Sequence, residues 1–238
     1  MKHDRYFYSL TSFVLLVLML IGFQKFYLEG KEANGSDVPH SILTLVIIHG
    51  VALTIWVVLF FVQSLLIASK NRQLHMKLGW VAASVALIIA ASGPLVAIAG
   101  PRLQPGRHVA GMTYRQFILP MFAEITAFTV LVALGLYFRK RPGIHRSMML
   151  LATLSIISGA TVRTHFISQL FGTHGWIGLF GPAFVLGAGI LIIRTLMTRS
   201  FDRWFAAGYI GLICFYVAAM NLAVGESWTS IAERIARG

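Results

Sequence analysis

The side chains of this chain that are able to do chemistry are few, and most of them are imidazoles. The sequence holds eight histidines in 238 residues, and His49, His75, His145 and His165 lie in or at the ends of long apolar runs. A neutral imidazole is the commonest metal ligand, and its charge changes near neutral pH. Two imidazoles at matching depth on facing helices suit a metal ion, or a haem iron held from both sides with nearby arginines neutralising the propionates. His75 lies in LHMKLGWVAA and His145 in IHRSMMLLAT, two segments at an offset of 70 residues, each following a basic turn. His145 and His165 are 20 residues apart, about 30 Å of helix, which puts them at opposite ends of one membrane span. The two pairs that match in depth are therefore His75 with His145 on one side and His49 with His165 on the other. A plainer role competes at the first pair: a histidine among Lys70, Arg72, Lys77, Arg141 and Arg146 also suits lipid headgroups.

Glu124 is the only acid inside an apolar run. An ionised carboxylate at the centre of a membrane helix costs roughly 2.5–3.5 kcal/mol on insertion scales, so this one must face protein, find a partner or stay protonated. Counting eight residues in from the start of each run places His49 and Glu124 about 12 Å deep from the same side. That depth predicts a cluster of His49, Glu124, Arg163 and His165, with Glu124 and His49 as candidate metal or protonation groups. His49, Trp56 and Gln63 recur every seven residues and so share one helix face. That face lines a pocket, together with Arg163, or forms a hydrogen-bonded seam between helices; the pattern alone admits both.

Positioning these residues falls to a set of membrane-spanning helices. Hydrophobic residues make up 57% of the chain and charged residues 12%, about half the charged share of a soluble domain. Mean hydropathy is +0.77. Apolar runs of about 20 residues cross a bilayer as helices, and seven are present: 10–28, 41–69, 78–100, 116–138, 147–165, 175–193 and 204–225. No ten-residue segments of alternating polarity recur, which excludes a transmembrane barrel. The expected architecture is all-α, a polytopic transmembrane helix bundle forming one integral membrane domain over residues 1–238. The first run reads as an uncleaved signal anchor. The linker 29–40 reads as a flexible connection. Residues 226–238 read as a short interfacial helix, with Ser230 and Glu233 as a capping box and Trp228, Ile231 and Ile235 on one face.

Charge decides orientation and excludes some functions. The net charge of +12 sits in short clusters between apolar runs, as membrane-flanking charges do, so nucleic acid is not implied. With the N-terminus inside, twelve lysines and arginines fall on the inner side and seven on the outer, which favours N-in, C-out. The segment 101–115 dissents, with Arg102, Arg107 and Arg115 on the outer side. Cys214 stands alone, so there is no internal disulfide. None of the six lysines lies in the seventh run, which removes a retinal Schiff base there. No GxxxxGKS, CxxC or HExxH motif occurs, leaving ATPase, thiol-redox and zinc-protease chemistry without support.

From His49 to His165 the chain loosely resembles the helical core of bacterial b-type cytochromes of the cytochrome b561 and haem A synthase kind. Helix starts such as LHMKLGW and IHRSMM also resemble those of bacterial multi-pass proteins of unassigned activity. The resemblance covers about half of the chain. It implies a haem b cofactor, electron exchange with quinone or another redox partner, and residence in the bacterial cytoplasmic (inner) membrane. One departure matters: the fourth run carries Glu124 and no histidine, which leaves a metal or protonation site open at that depth. The alternatives are a transporter or sensor built on the Glu124/His49 site, with Gly93-Pro94 and Gly181-Pro182 as helix breaks, and a non-catalytic assembly subunit. Whether the protein is an enzyme stays open.

Overall fold

A computed structural model gives the fold. It describes residues 2–32, 35–172 and 174–237, with side chains for all of these except 2–5 and 237. The side chains of Lys2, Arg5 and Arg237, counted in the charge balance, lie outside the described residues, as do Ala33 and Asn34 of the first linker and Gly238 of the tail.

The architecture is almost wholly helical. In chain order come α1 (Lys2–Gly22), α2 (Gln24–Glu29), α3 (His40–Ala68), α4 (Arg72–Leu103), the two-residue strands β1 (His108–Val109) and β2 (Met112–Thr113), and α5 (Ile118–Tyr137). There follow α6 (Pro142–Ser155), α7 (Ser158–Thr161), α8 (His165–Phe171), α9 (Gly175–Thr198), α10 (Arg203–Ala223) and α11 (Glu226–Arg237). Five helices (α3, α4, α5, α9 and α10) are long and apolar enough to cross a membrane, and the bent stretch α6–α8 brings the number to six. The apolar part of α1, Tyr6–Gly22, is shorter than these.

Short turns join α3 to α4 and α5 to α6, so these helices pack as antiparallel neighbours. Asn71 caps α4 by accepting a bond from the Leu74 amide at 3.2 Å, and Asp202 caps α10 through Phe205 at 3.0 Å. α10 lies against α5, α6 and α9, while α1 lies against α3, α7 and α9. The core between them holds Trp56, Phe128, Leu150, Leu151, Phe180 and Tyr216, all buried. Around it Leu87, Leu95, Val185, Ile192 and Ile210 are exposed, the apolar outer surface that a lipid solvent requires. The bundle has two ends: a basic end with the turns at residues 69–71, 138–141 and 199–202, and a hairpin end with β1–β2, α8 and α11.

The fifth apolar run is not one helix. α6 stops at Ser155, α7 makes a single turn, and the chain then bends by 92° into α8. Carbonyls freed by such a break must find donors within the protein, and the local sequence supplies them. Tyr216 of α10 donates to the Ser155 carbonyl at 2.8 Å, Thr161 to Ser158 at 3.0 Å and Thr164 to Ala160 at 3.0 Å, while Arg163 donates to Gly159. A methyl on Gly22 would lie 2.3 Å from the Ala160 carbonyl oxygen, so only glycine lets α1 approach the broken segment this closely. The expectation that His145 and His165 sit at opposite ends of one helix is corrected accordingly: His165 begins α8, beyond the bend.

The hairpin end is more ordered than the sequence suggested. β1 and β2 pair antiparallel across Ala110 and Gly111, whose positive φ angles of 54° and 82° form a tight hairpin turn. The described part of the linker 29–40 carries a bridge between Lys31 and Asp37 and the ion pair of Glu32 with Arg107. The tail is helical as expected, but α11 starts at Glu226. Ser230 therefore lies inside it and cannot cap, so the capping box is not formed. Trp228 and Ala232 of α11 turn toward the protein and Ile231 turns away.

Candidate functional site

The structure brings one of the two expected histidine pairs together. His75 and His145 face each other at the basic end, with ring centres 6.3 Å apart and planes at 85°. Each is the fourth residue of its helix, α4 from Arg72 and α6 from Pro142, so the 70-residue offset seen in the sequence corresponds to equivalent places on the two helices. The His145 Nδ1 bonds the Gly135 carbonyl oxygen at 2.7 Å. With the proton placed there, Nε2 is left as an acceptor, the arrangement by which metal-binding histidines are commonly oriented. Gln63 of α3 donates to the His75 carbonyl at 3.1 Å. The Nδ1 of His75 and the Oε1 of Gln63 are buried with no hydrogen-bond partner among the described residues. Orphaned polar atoms of this kind call for an explanation, and two occur together here.

The second pair, His49 with His165, shares no hydrogen bond or ring contact among the described residues. His49 of α3 bonds through Nδ1 to Ser92 of α4 at 2.9 Å and packs against Gly93. Glu124 of α5 accepts a hydrogen bond from Ser158 of α7. The two side chains thus share no hydrogen bond, each having a serine of its own. His165 lies on the far side of the break, lining a cavity with Arg163 and Lys25. Among the described residues, no three or more His, Cys, Asp or Glu side chains are grouped so as to hold a metal ion.

The stripe on α3 acts as a fastening. Trp56 is buried, donates to Thr153 of α6 at 3.2 Å and meets the Phe128 ring of α5 edge-on at 4.9 Å. With His49 bonded to α4 and Gln63 also bonded to α4, the three residues join one helix to three others.

No family model, curated protein or solved structure matches the chain. Function must therefore be argued from the sites themselves.

Three polar groupings were not apparent in the sequence. At the basic end Arg194, counted above among flanking charges, is buried and pairs with buried Asp202 at 3.3 Å, and Asp202 also accepts from Ser147 at 2.9 Å. Both guanidinium groups of Arg146 and Arg194 lie near the Tyr8 ring, at 5.4 and 6.0 Å. At the hairpin end Arg107 stacks on the Tyr114 ring at 4.9 Å, pairs with Glu32 and donates to Gln104 at 2.7 Å. The Tyr114 hydroxyl fits against Gly100, where a methyl would lie 2.7 Å from it, and burial raises this phenol above its ordinary 10.0 despite the opposing Arg107 charge. Arg102 donates to the Ile235 carbonyl of α11 at 2.7 Å. Arg102 and Arg107 are thus engaged within the protein rather than standing as free flanking charges. The third grouping is the run Ser155, Ser158, Thr161 and Thr164 at the helix break; its spacing of three was the one signal in the sequence that could have located it.

Proposed function

We propose that the protein is a b-type haem-binding redox protein of a bacterial inner membrane, in which His75 and His145 would hold the haem. It exchanges electrons with quinone or another redox partner. The observation that carries this reading is the pairing of His75 with His145 across two helices. With metal–nitrogen bonds of about 2 Å, the ring centres 6.3 Å apart would leave room for both imidazoles to reach one iron. The donor set fits a haem iron better than a closed structural zinc site, which takes four protein ligands. His145 is held by the Gly135 carbonyl with Nε2 open, and the His75 Nδ1 is buried with no hydrogen-bond partner among the described residues, so each ring keeps a nitrogen that would be able to hold a metal. When bound, haem supplies a one-electron iron couple. The chain's part is to orient the two rings, His145 through the Gly135 carbonyl and His75 through the bond of Gln63 to its backbone.

In this reading α1 and the bent α6–α8 stretch also traverse the bilayer, making seven spans, with the N-terminus and basic end inside. A second reading rests on a different observation, the buried Glu124 carboxyl bonded to Ser158 at a broken helix. Broken helices with a buried acid are where transporters place ion and substrate sites, so this reading makes the protein a proton- or metal-responsive transporter or sensor.

A reduced-minus-oxidised absorption spectrum of the detergent-purified protein, produced with ample haem, separates the two. The haem reading expects sharp α-bands that vanish in His75→Ala and in His145→Ala and persist in Glu124→Gln. A flat spectrum from intact protein removes it and leaves the Glu124 site, for which Glu124→Gln is expected to abolish proton- or metal-coupled flux.

A further inference from the structure

We propose that the cleft between the end of α1 and the α7–α8 bend is a binding site for a phosphate-bearing ligand, most simply the headgroup of an anionic membrane lipid. The cleft encloses about 420 Å³ and is bordered by Ile21, Gln24, Lys25, Arg163, His165 and Ser168, among others. Its border carries a lysine, an arginine and a histidine and no acidic residue. Lys25 and Arg163 are exposed to it, so both cations are accessible at the surface.

Arg163 is held in place rather than free to swing. Its Nη1 donates to the Gly159 carbonyl and its guanidinium lies 4.7 Å over the Phe23 ring. Those contacts occupy one amino group and one face, and the remaining N–H groups are available to an anion in the fork geometry that suits phosphate. Lys25 contributes a second cation from α2, exposed at the cleft, and Gln24 and Ser168 add neutral hydrogen-bonding groups. The depth also matters. The cleft lies at the hairpin end of α1, where exposed Ile21 borders the same opening. A ligand with an anionic head and an acyl chain meets cations at its head and apolar side chains along its tail, whereas a soluble phosphate uses only the first. The site is remote from His75 and His145, so it stands whether or not the haem reading does.

The test is binding of dihexanoyl phosphatidic acid to the full-length protein in a neutral detergent, followed by the phosphorus NMR line width. Inorganic phosphate and dihexanoyl phosphatidylcholine serve as parallel probes. Saturable binding of phosphatidic acid is expected, weakened about tenfold in Lys25→Gln and at least that much in Arg163→Gln. Arg163→Lys, which keeps a charge, should bind better than Arg163→Gln, and Arg139→Gln at the opposite end should bind like the unaltered protein. Lys25 is exposed, so its variant keeps the test open if Arg163→Gln fails to fold. Inorganic phosphate binding as tightly as phosphatidic acid would support the phosphate site and name a soluble ligand. The proposal is overturned if phosphatidylcholine binds as tightly as phosphatidic acid, if phosphatidic acid does not bind, or if Lys25→Gln leaves its affinity unchanged.

Discussion

The two ends of this bundle handle charge in opposite ways. At the basic end, Arg194 and Asp202 are buried together, their side chains each about 5% exposed, and the Nδ1 of His75 is buried with no hydrogen-bond partner among the described residues. At the hairpin end the ion pair of Glu32 and Arg107 is partly open to solvent, at 17% and 28%. There a hairpin, a linker and a terminal helix share the polar contacts. Buried pairs are strongly destabilising when one partner is removed, because the other charge is left stranded; partly exposed pairs are not. The basic end therefore depends on a few irreplaceable contacts and the hairpin end on many weak ones.

Removing one member of the buried pair is the strongest way to break this contrast. Asp202→Ala leaves the Arg194 guanidinium buried without its carboxylate and removes the α10 cap, so a loss of roughly 3–5 kcal/mol is expected. Reversible unfolding of the detergent-solubilised protein would measure it. A loss no larger than that of an exposed pair, about 1 kcal/mol, would mean the two ends do not differ. Next in size is Gly22→Ala. Its methyl would collide with the Ala160 backbone, which cannot yield as a side chain would. A destabilisation of about 1–3 kcal/mol is expected from such overpacking.

Arg107→Ala should be milder, near 1 kcal/mol or less, since its pair is partly solvated and Gln104 and Gln116 also bind the surrounding segments. High salt should weaken the unaltered protein by a comparable amount and leave Arg107→Ala nearly unaffected. The smallest effect concerns alkaline pH. Burial raises the Tyr114 phenol in the folded state, so the folded chain keeps that proton longer than the unfolded chain. Its contribution is present in full below the ordinary value of 10.0 and falls as pH rises from there to the folded value. Tyr114→Phe should flatten the loss of stability in that window, and an unchanged pH profile would show that the phenol is not sequestered.

How much of this was legible in the sequence depended on whether hydropathy or side-chain direction decided it. Long apolar runs gave the helical membrane class, and the shared context of His75 and His145 placed both in the first turns of their helices, where the two rings prove to meet. Depth counting put Glu124 and His49 inside the bundle but could not tell which way each helix was turned. Rotation gave Ser158 to one and Ser92 to the other. The bend between Thr161 and His165 was hidden because averaged hydropathy does not register a break whose carbonyls are satisfied by Tyr216, Thr161, Arg163 and Thr164. Arg194 was misread for a related reason: a lone arginine at the end of an apolar run looks like a flanking charge unless its distant partner, Asp202, is seen to fold back onto it.

The central claim, that His75 and His145 form one haem-ligating pair, is tested most directly by titrating haem-free protein with haemin and following the Soret band. The account predicts saturation at one haem per chain, with that endpoint lost in both His75→Ala and His145→Ala and kept in His49→Ala. Uptake that never saturates, or an endpoint that survives loss of either histidine, would contradict it.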